Sequence, residues 1–174
     1  VMLLPAASAA TGSVGVQVTV SPRLAPGSTE LGQVCTLNSL AAGPLIAQLH
    51  SAFVSLPEAA KAVVLTGAGE HFCAGLDLSE ISERSVAEGI IHSRTWHAAM
   101  DAIQFGRVPV VAVLHGAVVG GGLELASSCH IRAAEESTYY GPPEGQRGIV
   151  VGGGGPARVP RPAGRATTTD MILT

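Results

Sequence analysis

Two carboxylic acids stand beside turns that could hold a ligand. Glu124 follows the run Gly120-Gly-Gly122, and Glu144 follows the forced turn Gly141-Pro-Pro143. A carboxyl group in each of two converging loops, its pKa lifted by burial, can serve as acid and base on opposite ends of one reaction. The same residue types also fit a plainer pair: a first-turn helix acid at Glu124 and a surface acid at Glu144. Residue type alone leaves both readings open. The glycines bring a second kind of chemistry. Gly120 to Gly122 remove every side chain from a strand-to-helix turn, so backbone can approach a ligand closely. The first N–H groups of the helix and the positive end of its dipole then face whatever occupies the turn. Gly152 to Gly155 form another backbone-only loop.

Several other chemistries fail on pattern. Neither glycine loop is followed by Lys-Ser/Thr, and no G-x-G-x-x-G opens the first βα unit, which argues against a nucleotide cradle. There is no G-x-S-x-G elbow, and the histidines at 50, 71, 92, 97, 115 and 130 make no H-E-x-x-H pattern, so neither a serine triad nor a metal site is expected. Cys35, Cys73 and Cys129 are odd in number and lack metal-like spacing, as free thiols in a reducing compartment would be.

The bulk properties set the frame. With 47% hydrophobic and 13% charged residues, the chain is a core-rich globular one, and 174 residues suit a single domain spanning 1–174. A net charge of −3 gives no reason to propose a nucleic-acid partner. Five of the nine arginines fall between Arg132 and Arg165 and are expected to be solvated surface. The segment Val1 to Ala10 is apolar but lacks a basic start and is broken at Pro5, against a signal peptide; no run reaches membrane-spanning length.

The elements that must position the acids are readable from periodicity. Alternating valines predict a strand over 14–20, paired as a hairpin with a short one at Val34 to Leu37. Pro44 suits the first turn of a helix whose apolar face runs from Leu45 to Leu56. Lys61 to Thr66 reads as a buried strand ending at Gly67-Ala-Gly69, a strand exit where open α/β folds place ligands. A helix over 86–105 carries Val86, Ile90, Trp96, Met100 and Ile103 broadly on one side. Val110 to Leu114, β-branched and unbroken, predicts a strand covered on both faces, leading into the Gly120 turn. Short strands follow at Ile131 to Ala134 and Ser137 to Tyr140. The prolines from Pro156 to Pro162 oppose a regular helix, and a weak one is expected over Ala163 to Thr174. Alternation of strands and helices implies an α/β domain.

Three motifs then stand in order: His71-Phe-Cys-Ala-Gly-Leu-Asp77, His115-Gly-Ala-Val-Val-Gly-Gly-Gly-Leu-Glu-Leu125 and Gly141-Pro-Pro-Glu144. Together they closely resemble the crotonase (enoyl-CoA hydratase/isomerase) superfamily, from about Leu37 onward; residues 1–36 match poorly. The resemblance implies a spiral of ββα units that binds an acyl-CoA thioester, with CoA as part of the substrate and no separate cofactor. The backbone N–H groups of Leu76 and Gly121 would form an oxyanion hole, with Glu124 and Glu144 as the catalytic acids of a hydratase; a same-fold isomerase, lyase or hydrolase of acyl-CoA and a non-catalytic truncated subunit stand as alternatives. Ala74, Gly75, Asp77, Gly120 and Pro143 would border the substrate, and Trp96, Met100 and Phe105 would wall the acyl pocket. The resemblance further implies a homo-trimer or hexamer in the full-length form, and the unpaired cysteines set a cytoplasmic location as the expectation.

The chain departs from the family in two places. Between Leu24 and Ala60 it has no Lys or Arg to meet the CoA phosphates, and it stops before the family's C-terminal helices, so a truncated C-terminal region is expected.

Overall fold

The computed structural model describes residues 15–21, 34–38, 42–75, 85–142, 144–149 and 151–173. Its larger sheet has the order β2-β1-β3-β4-β6. Strands β1 (Gly15–Ser21) and β2 (Val34–Asn38) form the expected antiparallel hairpin, and β1 also pairs antiparallel with β3 (Ala62–Ala68). From β3 the sheet continues in parallel through β4 (Val110–Leu114) to β6 (Ile131–Ala134).

Val63, Leu65, Val110, Ala112 and Leu114 are fully buried, while Val64, Val111 and Val113 between them are only half-buried. One face of the sheet is therefore packed and the other partly covered, in place of the two-sided burial that the unbroken valine run predicts. The packed face belongs to one core that includes Ile46, Leu49 and Phe53 of α1 (Ala42–Val54) and Ala99, Met100 and Ile103 of α2 (Val86–Gln104).

Helix α2 opens on a capping box. Ser85 Oγ accepts from the Glu88 N–H at 3.3 Å, and the Glu88 carboxylate accepts from the Ser85 N–H at 2.8 Å. The predicted apolar side of this helix is only half real: Val86 and Ile90 are exposed, and burial begins in its second half.

The site is positioned by a second, two-stranded sheet that periodicity does not reveal. Strand β5 (Ala117–Val119) pairs in parallel with β7 (Tyr139–Gly141), which starts two residues later and ends one residue later than the predicted Ser137 to Tyr140. On its other edge β5 bonds to the segment leaving β3: the Cys73 N–H donates to Ala117 O at 3.1 Å, and the Val119 N–H donates to Cys73 O at 3.0 Å. Helix α3 (Gly121–Ser128) then starts at once, almost wholly buried.

Further on, the proline-rich stretch is helical after all. It forms two single turns, α4 (Gly155–Arg158) and α5 (Pro160–Ala163), before α6 (Arg165–Leu173). Pro156 and Pro160 sit in the first positions of these turns, where a missing N–H costs nothing and the fixed φ already fits.

Close approach of α3 to the Cys73 segment gives a direct test. A methyl group at Gly122 would lie 2.2 Å from Cys73 O, whereas one at Gly89 in α2 would meet nothing within 4 Å. Gly122→Ala is expected to lose about 1–3 kcal/mol of stability, and Gly89→Ala to gain about 0.4–1 kcal/mol, by urea midpoints. Equal effects of one sign would contradict this packing.

Candidate active site

Strand β5 carries three chain segments to one place. Gly75, at φ +95°, arrives on one side: a methyl group on it would stand 3.6 Å from the Gly121 nitrogen. On the other side the Gly120 N–H donates to Gly141 O at 2.8 Å, which brings in the turn ending at Glu144. Gly120 has φ 55° and ψ −121°, a conformation closed to other residues, and a methyl there would lie 2.8 Å from Glu144 Oε1. Gly75, Gly120, Gly121 and Glu144 are thus mutual neighbours. Gly121 and Gly122 occupy the first positions of α3, whose amides have no intrahelical acceptor.

Glu124 is 4% exposed. Its Oε1 accepts the Gly155 N–H at 2.7 Å, so the glycine loop found in the sequence closes over this carboxyl group. Burial lifts its pKa above the ordinary carboxylate range; the Gly155 N–H pulls it down, the Glu144 charge pushes it up, and the Gly153 N–H and Arg158 pull it down again. Burial likewise lifts Glu144, whose Oε2 is enclosed with no hydrogen-bond partner among the described residues. The structure therefore brings the two acids into electrostatic contact. Glu124 does stand in the first turn of α3, as the plainer reading has it, but it is buried there, and Glu144 is half-buried.

Other expected positions divide. Trp96 lies against the site: a methyl on Gly121 would stand 2.7 Å from its ring, and its indole N–H is buried without a partner among the described residues. Ala74 is exposed beside Gly75. Met100 and Phe105 are corrections to the expected acyl wall. Met100 is completely enclosed in the hydrophobic core, because it lies one turn below Trp96 toward α1 and the sheet. Phe105 caps the far end of α2 and is 74% exposed. Leu76, Asp77 and Pro143 lie outside the described residues.

A narrow crevice with a volume of only about 10 Å³ lies beside Glu124, lined by Gly120, Pro142, Val151, Gly155 and Ile172 among others. A larger groove of about 350 Å³, bordered by Ala126, Arg132, Tyr140 and Met171, contains neither glutamate. The first adjoins Glu124.

Sequence reasoning missed Arg158. Expected among solvated arginines, it is 6% exposed, and its guanidinium donates to Gly153 O at 2.7 Å, Gln104 Oε1 at 2.8 Å and Asp101 Oδ1 at 2.5 Å. Its place three residues after the glycine loop was the available signal. Cys73 and Cys129 are buried free thiols, and burial pushes Cys129 up to about 12. Among the described residues no cluster of His, Cys, Asp and Glu could hold a metal ion, and no helix is long and apolar enough to cross a membrane.

An α/β core with two glycine turns and an enclosed carboxyl pair at its strand exits is the crotonase type of fold. Residues 32–174 match the family described as enoyl-CoA hydratase/isomerase, and the chain belongs to it. It is similar to a solved Rhodopseudomonas palustris CGA009 protein provisionally named an enoyl-CoA hydratase. That match is 56% identical with a TM-score of 0.73, covering 75% of this chain and 51% of that one. An enoyl-CoA hydratase from Thermoplasma volcanium GSS1 is 31% identical with a TM-score of 0.71, over 79% and 55%. Among curated relatives, the fatty acid oxidation complex subunit alpha of Shewanella sp. strain W3-18-1 is 38% identical over 144 residues, 80% of this chain and 20% of the relative. The chain thus spans about half of the solved chains it matches and a fifth of that subunit.

The lifted carboxyl pair has a consequence for stability. A folded-state pKa above the unfolded value favours the protonated form, so the contribution is present at low pH and lost as pH rises through the folded value. Glu144→Gln removes a group that resists ionisation. Its urea midpoint relative to the parent is expected to rise between about pH 4 and about pH 8. A pH-independent difference would show that Glu144 titrates as an ordinary surface acid.

Proposed function

We propose that this chain forms the catalytic core of an acyl-CoA enzyme that hydrates a 2-enoyl-CoA to a 3-hydroxyacyl-CoA. The observation that carries the reading is the enclosed Glu124 and Glu144 pair beside the amide of Gly121. Family membership supplies the substrate class.

The environments of the two acids assign their roles. Burial and the Glu144 charge lift Glu124 as well, but it accepts the Gly155 N–H and lies near Arg158, both of which favour the ionised form, so it acts as the base. Glu144 is lifted by burial and keeps an unpartnered oxygen, so it acts as the acid. Repulsion between two like charges favours a single shared proton at neutral pH, and the pair titrates as a unit.

In the forward step a water oxygen bonds to C3 of the enoyl group while Glu124 takes one water proton. The C2–C3 π electrons move to the thioester oxygen, and the enolate is met by the amide of Gly121, with Leu76, which lies outside the described residues, as the second donor the family resemblance implies. The carbonyl re-forms as C2 takes the proton of Glu144. One water is added, and the proton gained by Glu124 is returned to Glu144 to close the cycle. No metal, redox group or separate cofactor enters. A preorganised amide donor of this kind typically contributes about 3–4 kcal/mol of barrier lowering. Self-association as a trimer or hexamer and a cytoplasmic setting are part of the same proposal, and native mass measurement addresses the first.

Loss of the conjugated thioester absorbance of a short 2-enoyl-CoA reads the reaction. Glu124→Gln and Glu144→Gln are each expected to lower kcat by about 10²–10⁴. Activity should fall at acid pH as the lifted Glu124 protonates, and at alkaline pH as the lifted Glu144 ionises. A folded parent that leaves the absorbance unchanged, or a Glu124→Gln variant as active as the parent, would overturn the proposal. Migration of the double bond without water addition would instead assign the chain to isomerisation.

A further inference from the structure

We infer that Arg158 is a positioning residue for Glu124: it clamps the Gly153–Gly155 turn from behind so that the Gly155 N–H and the Glu124 carboxyl keep one alignment. The kinetic part of this inference rests on the hydration reading; the contact geometry does not.

The turn is held between two charged groups. On its inner side Glu124 Oε1 accepts the Gly155 N–H at 2.7 Å, and a methyl on Gly153 would stand 2.7 Å from Glu124 Oε2. On its outer side Arg158 Nη1 donates to Gly153 O at 2.7 Å. Gly154, at φ +94°, passes so close that a methyl there would collide with Arg158 Nη1. The turn itself is three glycines in sequence, with no side chain to fix it and high intrinsic freedom. Its conformation must be imposed from outside.

Helix α2 imposes it through Arg158. Asp101 and Gln104 sit one turn apart on that helix and accept from Nη2 and Nε, so the planar guanidinium is fixed in orientation before Nη1 reaches the turn. Asp101 is half-exposed while Arg158 is buried, so the pair is not a sealed ion pair whose only role is to neutralise itself. Ser93, on the same helix, adds a hydroxyl donated to Gly152 O at 2.8 Å. Trp96, also on α2, packs on Gly121. One rigid helix therefore sets both the turn over Glu124 and the start of α3.

Three variants separate this role from simple packing. Arg158→Met removes charge and donors together. Arg158→Lys keeps the charge but replaces the fixed fork with a compact head that cannot hold all three acceptors at once. Gln104→Leu leaves Arg158 in place and releases one of its guides. The charged groups facing Glu124 from neighbouring elements are Glu144 and Arg158, with His97 and Asp101 behind the turn.

Two readouts are needed. Steady-state hydration should show kcat falling about a hundredfold in Arg158→Met with KM little changed, as expected when a reacting group is misplaced without loss of binding. Arg158→Lys and Gln104→Leu should fall less, and added guanidinium should partly restore Arg158→Met but not Gln104→Leu. The second readout needs no activity: titration of the Glu124 side-chain carboxyl by ¹³C NMR, assigned by its absence in Glu124→Gln. Its midpoint should move up in Arg158→Met and stay near the parent in Arg158→Lys.

An Arg158→Met protein with a cooperative urea transition, parental kcat and an unmoved Glu124 titration would overturn the inference. So would unmoved Glu124 titration and parental kcat in both Arg158→Lys and Gln104→Leu, should Arg158→Met not fold. If the parent hydrates no enoyl thioester, the reaction assignment fails while the NMR titration still decides whether Arg158 governs Glu124.

Discussion

The site depends on the two-sided hydrogen bonding of β5, a strand of only three residues. Its edges take the Cys73 segment on one side and β7 on the other, and the chain enters α3 directly after it. Each neighbour is the exit of a different supersecondary unit. One short ladder therefore converts three distant stretches of sequence into a common centre at Gly75, Gly121 and Glu144. Backbone groups do the joining, which is why glycine recurs where the segments meet: any side chain at 120 or 122 would occupy space already filled by Glu144 or by the Cys73 carbonyl. The histidines of the two leading motifs reinforce the ladder. His71 Nδ1 accepts the Ala117 N–H at 3.2 Å, and a ring nitrogen of His115 lies 3.1 Å from Gly69 O.

Given this convergence, burying Glu124 becomes tolerable. An ionised carboxylate taken out of water is strongly destabilising unless donors meet it. Here the Gly155 N–H, the adjacent cation of Arg158 and the N-terminal end of α3 offset that cost in part, while Glu144 opposes them. The resulting balance leaves the two acids with pKa values above the solvent range and unequal surroundings. Both members are thereby harder to ionise than they would be in water.

How far the sequence reveals this follows from range. The β4 strand, the Gly120 turn and the position of Glu124 in a helix are local, written in a valine run, three glycines and a helix period, and the structure agrees with them. The β1–β2 hairpin is similarly local. Burial of one face only of β4 could not be read from an unbroken apolar run, since such a run looks the same whether the second face is covered fully or in part. The β5–β7 pairing involves three residues in each strand, too few for a period to register. Arg158 was misread because a charged side chain has no local mark of burial; its partners lie over fifty residues away on α2. Phe105 shows the converse error, since an aromatic residue at a helix end carries no sign of which way it faces.

The proline-rich stretch after the glycine loop follows from the same entropy argument. Four consecutive glycines at 152–155 have more backbone freedom than any other tetrapeptide, and fixing them in a single turn opposes folding. Pro156 and Pro160 act in the opposite sense, because each narrows the unfolded ensemble at a first-turn position whose native backbone already suits proline. The single-turn helices they open carry Arg158 back onto the loop they follow. A tetraglycine free of side chains and a stiff proline segment are thus complementary halves of one device: the first lets backbone reach the Glu124 carboxyl, and the second, tied to α2, holds it there.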